Sequence, residues 1–409
     1  MTPPAPATGA DADAEPTAPP ARGLSPAVVW LLSVTCGLAV ANVYYSQPLL
    51  DLIARDYGIA PAAIGLVGTF TQAGYALGLL LLVPLGDHVD RRALTTAQLA
   101  LSVLALTVVA AAPSAPLLLA AMAAVGVLAV VAQVVVAHSA SLAAPGDQGR
   151  VVGTVTGGIV VGILLARTVA GTIGDLAGWR AVYLASAVAT GAMAFAVAAA
   201  LPPERRGPGG RIRYLRLVGS VFTLFAAERV LRVRAVLALL TFTSVTVLLT
   251  PMVLPLAAPP FELSHTQIGL FGLAGAAGAL GAGRAGRQAD RGRGRAERTA
   301  GIGLSAMLAA WLPAALLPHS VWWLVLAVVV IDYGLQSVHV INQHLLYQVR
   351  PEARSRLTAG YMLLYSVGCG AGAIASTAVY DHGGWTAVCL LGAATSLAAL
   401  LHWLTARRG

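Results

Sequence analysis

Twelve runs of mostly apolar residues, each about twenty long, follow one another through this chain and leave room for little else. A helix rises ~1.5 Å per residue, so each run matches a hydrocarbon layer of about 30 Å. They lie near 26–50, 62–86, 93–112, 116–140, 151–174, 181–202, 235–258, 266–284, 299–317, 320–346, 357–379 and 384–405. Backbone in lipid must satisfy its own hydrogen bonds, so runs of this length predict helices and an all-α integral membrane fold. With 57% hydrophobic and 11% charged residues, the composition excludes a water-soluble enzyme, and no stretch remains for a separate catalytic domain.

The runs also repeat. IGLVG at 64–68 and GDHVDRR at 86–92 return as IGLFG at 268–272 and GRQADRGRGR at 286–295. DLAGWRAV at 175–182 is matched by DHGGWTAV at 381–388, and Pro145 and Arg150 recur as Pro351 and Arg356. Four echoes in one order predict a duplicated half, an organisation used by secondary transporters. The expected layout is a disordered tail at 1–25, a first six-helix bundle at 26–202, a linker at 203–234 and a second bundle at 235–409. The tail is rich in Pro, Ala and acidic residues and lacks the basic start and short apolar stretch of a cleavable signal.

All 26 basic residues are arginine. Without lysine there is no Walker-type phosphate loop and no Schiff-base cofactor site. Placing the N-terminus in the cytoplasm puts 23 arginines in tails and inward loops, leaving Arg55 and Arg180 outside and Arg167 within a span. The positive-inside rule then predicts a multi-pass plasma-membrane protein with both termini cytoplasmic. No basic stripe alternates with aromatics in a soluble unit, so nucleic acid is not an expected partner. In the linker, Leu215, Val218, Val221, Phe222 and Phe225 recur at helical spacing beside Arg211, Arg213 and Arg216. That pattern predicts a helix on the cytoplasmic membrane surface near anionic lipid, with a plain solvated linker as the other reading. Cys36, Cys369 and Cys389 fall within spans and read as small packing residues.

The turn VPLGDHVDRRAL between the second and third spans, and GRQADRGRGR between the eighth and ninth, resemble the cytoplasmic signature of the major facilitator superfamily. The resemblance covers the chain after residue 25. It implies twelve transmembrane helices in two pseudo-symmetric six-helix bundles, alternating access and a gate made by Asp87, Arg91 and Arg92 in the first copy and Gly286, Asp290 and Arg291 in the second. Val83 and His88 depart from the pattern in the first copy. Aspartates beside arginines at the inner helix ends can make charge-assisted hydrogen bonds to the facing half when the cytoplasmic side is closed. An orientation signal alone would explain the arginines but not the acids. The fifth span, TGGIVVGILLARTVAGTIGD, resembles the glycine-rich signature of the drug:proton antiporter branch in Gly158 and Gly162; Ile163 and Ala166-Arg167 depart from it, as does Met122 in the fourth span.

Charged groups inside the hydrocarbon layer cost about 2.5–3.5 kcal/mol even on insertion scales, so each needs a reason. Two stand out, Arg167 and Asp332. In the tenth span Asp332, Gln336, His339, Gln343 and Tyr347 fall at steps of four, three, four and four, one polar stripe with Asn342 beside it. The resemblance implies that the first, fourth, seventh and tenth spans line the central cavity, so this stripe is expected to face the substrate path. A carboxylate at that depth suits uptake and release of a proton, or recognition of a cation, with His339 assisting; the other reading is a structural pair with Arg167. Tyr44, Tyr45, Gln72, Tyr75, Gln133, Thr243 and Thr246 are further candidates for the cavity wall, against interfacial anchoring for the tyrosines and backbone bonding for the threonines. His138 reads as interfacial. Glycines at 65, 68, 74 and 78 and at 269, 272, 275, 278 and 281 read either as a sliding seam between halves or as static packing.

The expectation is therefore a monomeric secondary transporter, without cofactor or metal, that exports small amphipathic molecules by proton-coupled alternating access. Metabolite uptake or facilitated diffusion is the alternative. An integral-membrane enzyme lacks support in any HExxH or GxSxG segment, and a receptor would not need duplicated bundles.

Overall fold

The computed structural model describes residues 24–86, 89–144, 147–201, 214–289, 291–349 and 354–408, and every regular element among them is helical. The predicted tail at 1–25 lies almost wholly outside these residues. The first half contains α1 (Pro26–Tyr44) and a short helix α2 (Leu50–Tyr57), then α3 (Leu66–Leu85), α4 (Arg91–Ala111), α5 (Ala115–Ala129) continued by α6 (Val131–Leu142), α7 (Gln148–Ala177) and α8 (Trp179–Ala200). After α9 (Tyr214–Ala227), the second half has α10 (Arg229–Leu249) with α11 (Val253–Ala257), α12 (His265–Ala274) continued by α13 (Ala276–Ala289), α14 (Arg293–Ala309) continued by α15 (Trp311–Ala315), α16 (Val321–Tyr347) and α17 (Arg354–Arg408). The last helix turns at Gly384 and so supplies two rods, giving twelve transmembrane helices in two six-helix bundles.

Local chemistry starts these helices where the chain enters a span. Ser25 caps α1 with proline in its first turn, and the Asp90 carboxylate accepts from the Arg92 and Ala93 amides at 2.8 and 3.2 Å to open α4. Ser264 and Gln267 form a reciprocal capping box at α12. Among the described residues nine helical segments are long and apolar enough to cross a membrane, with both rods of α17 counted as one. The eighth and ninth rods fall short. Glycines and arginines dilute α13, α14 opens on Arg293, Arg295 and Arg298, and the breaks at Gly275 and Ala310 divide each rod.

The sequence repeat is a structural repeat. Gly178 and Gly384 hold matched turns at φ 82° and 59°, a left-handed conformation that glycine adopts without a Cβ clash. Each is followed by a buried tryptophan that ties the turn down: Trp179 donates to Asp56 at 3.0 Å and Trp385 to the Ala314 carbonyl at 2.8 Å. Packing follows the same symmetry. In the first half α1 lies on α7, α3 on α5 and α4 on α8; in the second, α10 and α14 lie on α17 and α13 on α16. Gly158 and Gly162 serve this packing, since a Cβ at either would meet the Ser33 or Gly37 carbonyl oxygen of α1 at 2.1 or 2.2 Å.

Among the described residues the halves meet mainly through two helix pairs, α7 with α12 and α3 with α17. Both pairs are tight at the end opposite the arginine-rich loops. There Thr168 donates to the Gly269 carbonyl at 3.0 Å, Thr69 to Gly370 at 2.7 Å and Thr377 to Ala62 at 3.1 Å. Toward the basic end the α7 side loosens, and a Cβ at Gly153 or Gly157 of α7, or at Gly286 of α13, would meet open space. The glycine runs divide along the same line. Gly65, Gly68, Gly269 and Gly272 face the opposite half, whereas Gly74, Gly78 and Gly281 face their own bundle. Successive steps of three residues rotate about 60° around a helix, so one run passes from seam to bundle interior.

The predicted linker helix is present as α9, but it is not a free surface helix. It touches α3 of the first half and α10 and α17 of the second. Val221 and Leu224 are buried, Phe222 points outward, and the Phe225 ring lies where a Cβ on Gly360 would be, 2.9 Å away. Arg211 and Arg213 lie outside the described residues. His138, read as interfacial, is instead 1% exposed inside the first bundle, because α6 continues the fourth rod past it.

Candidate functional site

Arg167 and Asp332 come from opposite halves and face one small cavity. α7 carries Arg167 into the seam, where it is 7% exposed. Its Nε donates to Gln47 Oε1 at 2.7 Å, and its guanidinium lies over the Tyr44 ring, 5.2 Å from the centroid. A guanidinium held by an amide oxygen and an aromatic face keeps part of what water would give it. α16 carries Asp332 against α12 and α13. A Cβ at Gly278 would sit 2.2 Å from Asp332 Oδ2 and one at Gly275 3.3 Å away, so only glycine leaves the carboxylate its place. The two charged groups share a cavity of about 20 Å³ with Val245, Phe271, Gly272 and Ile331. That is room for about one water. Among the described residues they make no direct ion pair, and their attraction acts across the cavity.

A second cavity, of about 70 Å³, lies between the halves and is lined by Tyr44, Gln72, Tyr75, Gln133, Met362 and Tyr365 among others. Gln133 donates to the Tyr75 hydroxyl at 3.4 Å, and Gln72 Oε1 is buried without a partner among the described residues. Tyr44 and Tyr365 hydrogen-bond hydroxyl to hydroxyl at 2.8 Å across the seam. From Tyr365 an aromatic line continues through Phe242, edge-on at 4.2 Å, to His339 at 5.4 Å.

The polar stripe on α16 therefore divides. Asp332 and His339 differ by only about 20° around the helix but by about 10 Å along it, so they meet different neighbours. Asp332 and Gln336 meet α13, while His339 turns to α10 and α17, its Nδ1 2.9 Å from the Tyr361 hydroxyl. Gln343 is half-buried. Asn342 belongs elsewhere: it is fully buried and its Oδ1 accepts from Arg234 at 3.4 Å. Tyr45 also turns away, into the first bundle beside Ser186 and Tyr183. Thr243 bonds to the Leu239 carbonyl of its own helix at 2.7 Å and to Gly368 of α17 at 3.1 Å.

At the basic end Arg91 donates to the Gly86 carbonyl at 3.1 Å and Arg92 reaches the Ala198 carbonyl of α8, so both bind within their own half. Gly286 and Arg291 stand at the open side, and the Arg291 side chain is exposed. Asp87 and Asp290 lie outside the described residues. A larger cavity, about 550 Å³, opens at this end inside the second bundle and is walled by Arg229, Arg234, Arg293, Glu297, Trp403 and Arg407 among others. Glu297 there pairs with buried Arg234 and accepts from Trp403 Nε1 at 2.9 Å. Removing one partner of a buried pair leaves an uncompensated charge, so Glu297→Ala is expected to destabilise the second bundle by about 3–5 kcal/mol. A fall in the thermal unfolding midpoint of the detergent-solubilised protein checks this, and an unchanged midpoint contradicts it.

Sequence reading missed Tyr361 and Tyr365, although their spacing of four in GYMLLYSVG marks one helix face. It also missed a cluster at the far mouth of the seam. His265, at the start of α12, touches Asp175 of α7 with Nδ1 at 2.7 Å and Asp51 of α2 with Nε2 at 3.0 Å. No local pattern could join residues 90 and 214 positions apart.

The sequence profile of the Major Facilitator Superfamily matches residues 29–349 and, again, 285–409. The chain is 44% identical over 384 residues to the uncharacterized transporter YgaY of Escherichia coli O157:H7, an alignment spanning 94% of this chain and 96% of that one. It is 32% identical over 402 residues to SCO4007 of Streptomyces coelicolor, named a probable transporter, spanning 96% and 91%. Among solved structures it resembles a bacterial homolog of the human lysosomal transporter Spinster, inward-facing and unoccupied, with a TM-score of 0.77 and 16% identity over 94% of this chain and 98% of that one. The occupied inward-facing form of that homolog aligns with a TM-score of 0.76 at 15% identity.

Proposed function

The chain belongs to the major facilitator superfamily, and from that premise, a multi-pass membrane transporter, we propose that it exports small amphipathic molecules in exchange for protons. The observation that carries this reading is the facing of Arg167 and Asp332, one from each half, across a cavity in the seam. When Asp332 is charged, Arg167 holds the halves together by attraction through a medium far less polar than water. A proton entering from the far side neutralises the carboxyl, weakens that attraction and lets the seam part. After closure the proton leaves toward the basic end, and the charge pair re-forms. Substrate moves the other way, against the tyrosines and amides of the second cavity, whose mixed apolar and hydrogen-bonding wall suits an amphipathic ligand.

In this reading the basic end faces the cytoplasm and the structure is the inward-facing member of the cycle, tight outside and loose inside. Asp87 and Asp290, with Arg91, Arg92 and Arg291, would draw the basic end shut in the other member. The test is retention of a fluorescent cationic dye in bacteria stripped of their own exporters. Cells making this protein should retain less dye, and a protonophore should restore retention to the level of cells without it. Equal retention in both strains would remove the export reading and direct the search to metabolite uptake or facilitated diffusion on the same fold.

A further inference from the structure

His265 stands where one proton can fasten the two halves. It is 15% exposed by side chain, Asp51 9% and Asp175 25%, all outside the central cavity. Each of its ring nitrogens lies on a carboxylate oxygen, Nδ1 at 2.7 Å from Asp175 and Nε2 at 3.0 and 3.2 Å from Asp51. An ionised carboxylate only accepts, and a neutral imidazole has a single N–H to give. Two carboxylates on two ring nitrogens therefore require the imidazolium, with a proton on each nitrogen. Both aspartates belong to the first half and the histidine to the second.

The contact is built further on the backbone. Asp175 also accepts from the amides of His265 and Thr266 at 3.1 and 2.7 Å and from the Thr266 hydroxyl at 2.7 Å, so a carboxylate of one half closes the N-terminus of a helix in the other. Beneath it the helices touch: a Cβ on Gly171 would lie 2.0 Å from the His265 carbonyl oxygen. Other charges nearby are Arg55 on α2, 3.8 Å from Asp51 and 76% exposed, and Glu262, exposed three residues before His265; Asp56, a turn beyond Asp51, is occupied by Arg180 and Trp179. The remaining neighbours of α12 at this level, Gln47 to Leu49 and α11, bring no titratable side chain.

We infer that His265 is a proton-binding site separate from Asp332, and that its occupancy keeps the far mouth of the seam closed. The inference rests on the alternating-access reading above. Hydrogen bonding to Asp51, and then the pull of Asp175, raises the affinity of His265 for its proton above that of an ordinary histidine, against the opposing effect of partial burial. Once the halves part, those partners are gone and the affinity returns toward the ordinary value of about 6.5. The raised value belongs to the closed state, so the contact contributes fully below the ordinary histidine pKa. It is lost as pH rises through the raised one. One proton permits at most about a tenfold change in the ratio of open to closed per pH unit.

Spin labels on Ala60→Cys and Glu262→Cys, one in each half, report the mouth directly when Cys36, Cys369 and Cys389 are replaced. On an Asp332→Asn background, which keeps the central carboxyl from titrating, the purified protein in lipid nanodiscs should show the short distance at low pH and a growing long-distance population as pH rises. His265→Arg should hold the short distance throughout, and His265→Gln should show a long-distance fraction that ignores pH. On that background a His265→Gln variant that keeps the pH profile seen with His265 present, or a mouth that opens equally at every pH with His265 present, would overturn the site while leaving alternating access intact. A distance that never lengthens, even in Asp51→Asn and Asp175→Asn, would overturn both.

Discussion

An Asp332→Asn variant is expected to lose the proposed export against a gradient and to keep flux down it. The amide has the shape of the carboxyl and fits the notch between Gly275 and Gly278, so the helices have no cause to rearrange. What it lacks is a proton to take up and a charge to offer Arg167 across the cavity. In vesicles with an imposed pH gradient, concentrative transport should fall at least about tenfold, equivalent to ~1.4 kcal/mol of lost driving force per decade. Downhill flux of the same compound should persist. If the asparagine variant still concentrates substrate in proportion to the pH gradient, Asp332 does not couple transport to protons.

A second large effect is expected at Gly171. Valine there places a Cβ 2.0 Å from the His265 carbonyl oxygen, a backbone atom that no rotamer change can move. The closed mouth would have to part, whereas the bundles would not, because Gly171 lies between them. Gly171→Val should therefore abolish transport while the protein still folds, inserts and unfolds at nearly the wild-type temperature. Gly153→Ala on the same helix, with open space around it, is the matched control. Normal transport by Gly171→Val would show that the far mouth need not close.

Sequence reading located what hydropathy and repetition encode. Ten of the twelve rods follow from apolar length and the diluted eighth and ninth also from the repeat, and the echo of DLAGWRAV in DHGGWTAV marks two turns whose glycines share a left-handed φ. Arg167 and Asp332 stood out because charge in an apolar run is conspicuous, whatever it touches. What could not be read is the azimuth of each helix. Asn342 and Tyr45 sit in the right spans but turn into the Arg234 network and the first bundle. Tyr365 escaped notice although it bonds Tyr44, 321 residues away, because hydroxyls meeting across a seam leave no mark on either strip of sequence. The glycine runs were ambiguous for the same reason: one helix serves two neighbours, and only the neighbours separate the uses.

The position of α9 has a mechanical consequence. A chain that merely connects two rocking bodies adds slack, but one that rests on both adds stiffness. With α9 seated on α3 and on α10 and α17 while the basic end is loose, drawing the halves together at that end must shift it on one side or bend it. Unburying a side chain the size of Val221 or Leu224 costs about 1.5–3 kcal/mol, enough to shift a balance of two states roughly 10–100-fold. In the proposed cycle the segment that looks least like transport machinery would act as a spring, setting how often the molecule faces each side of the membrane before any substrate binds.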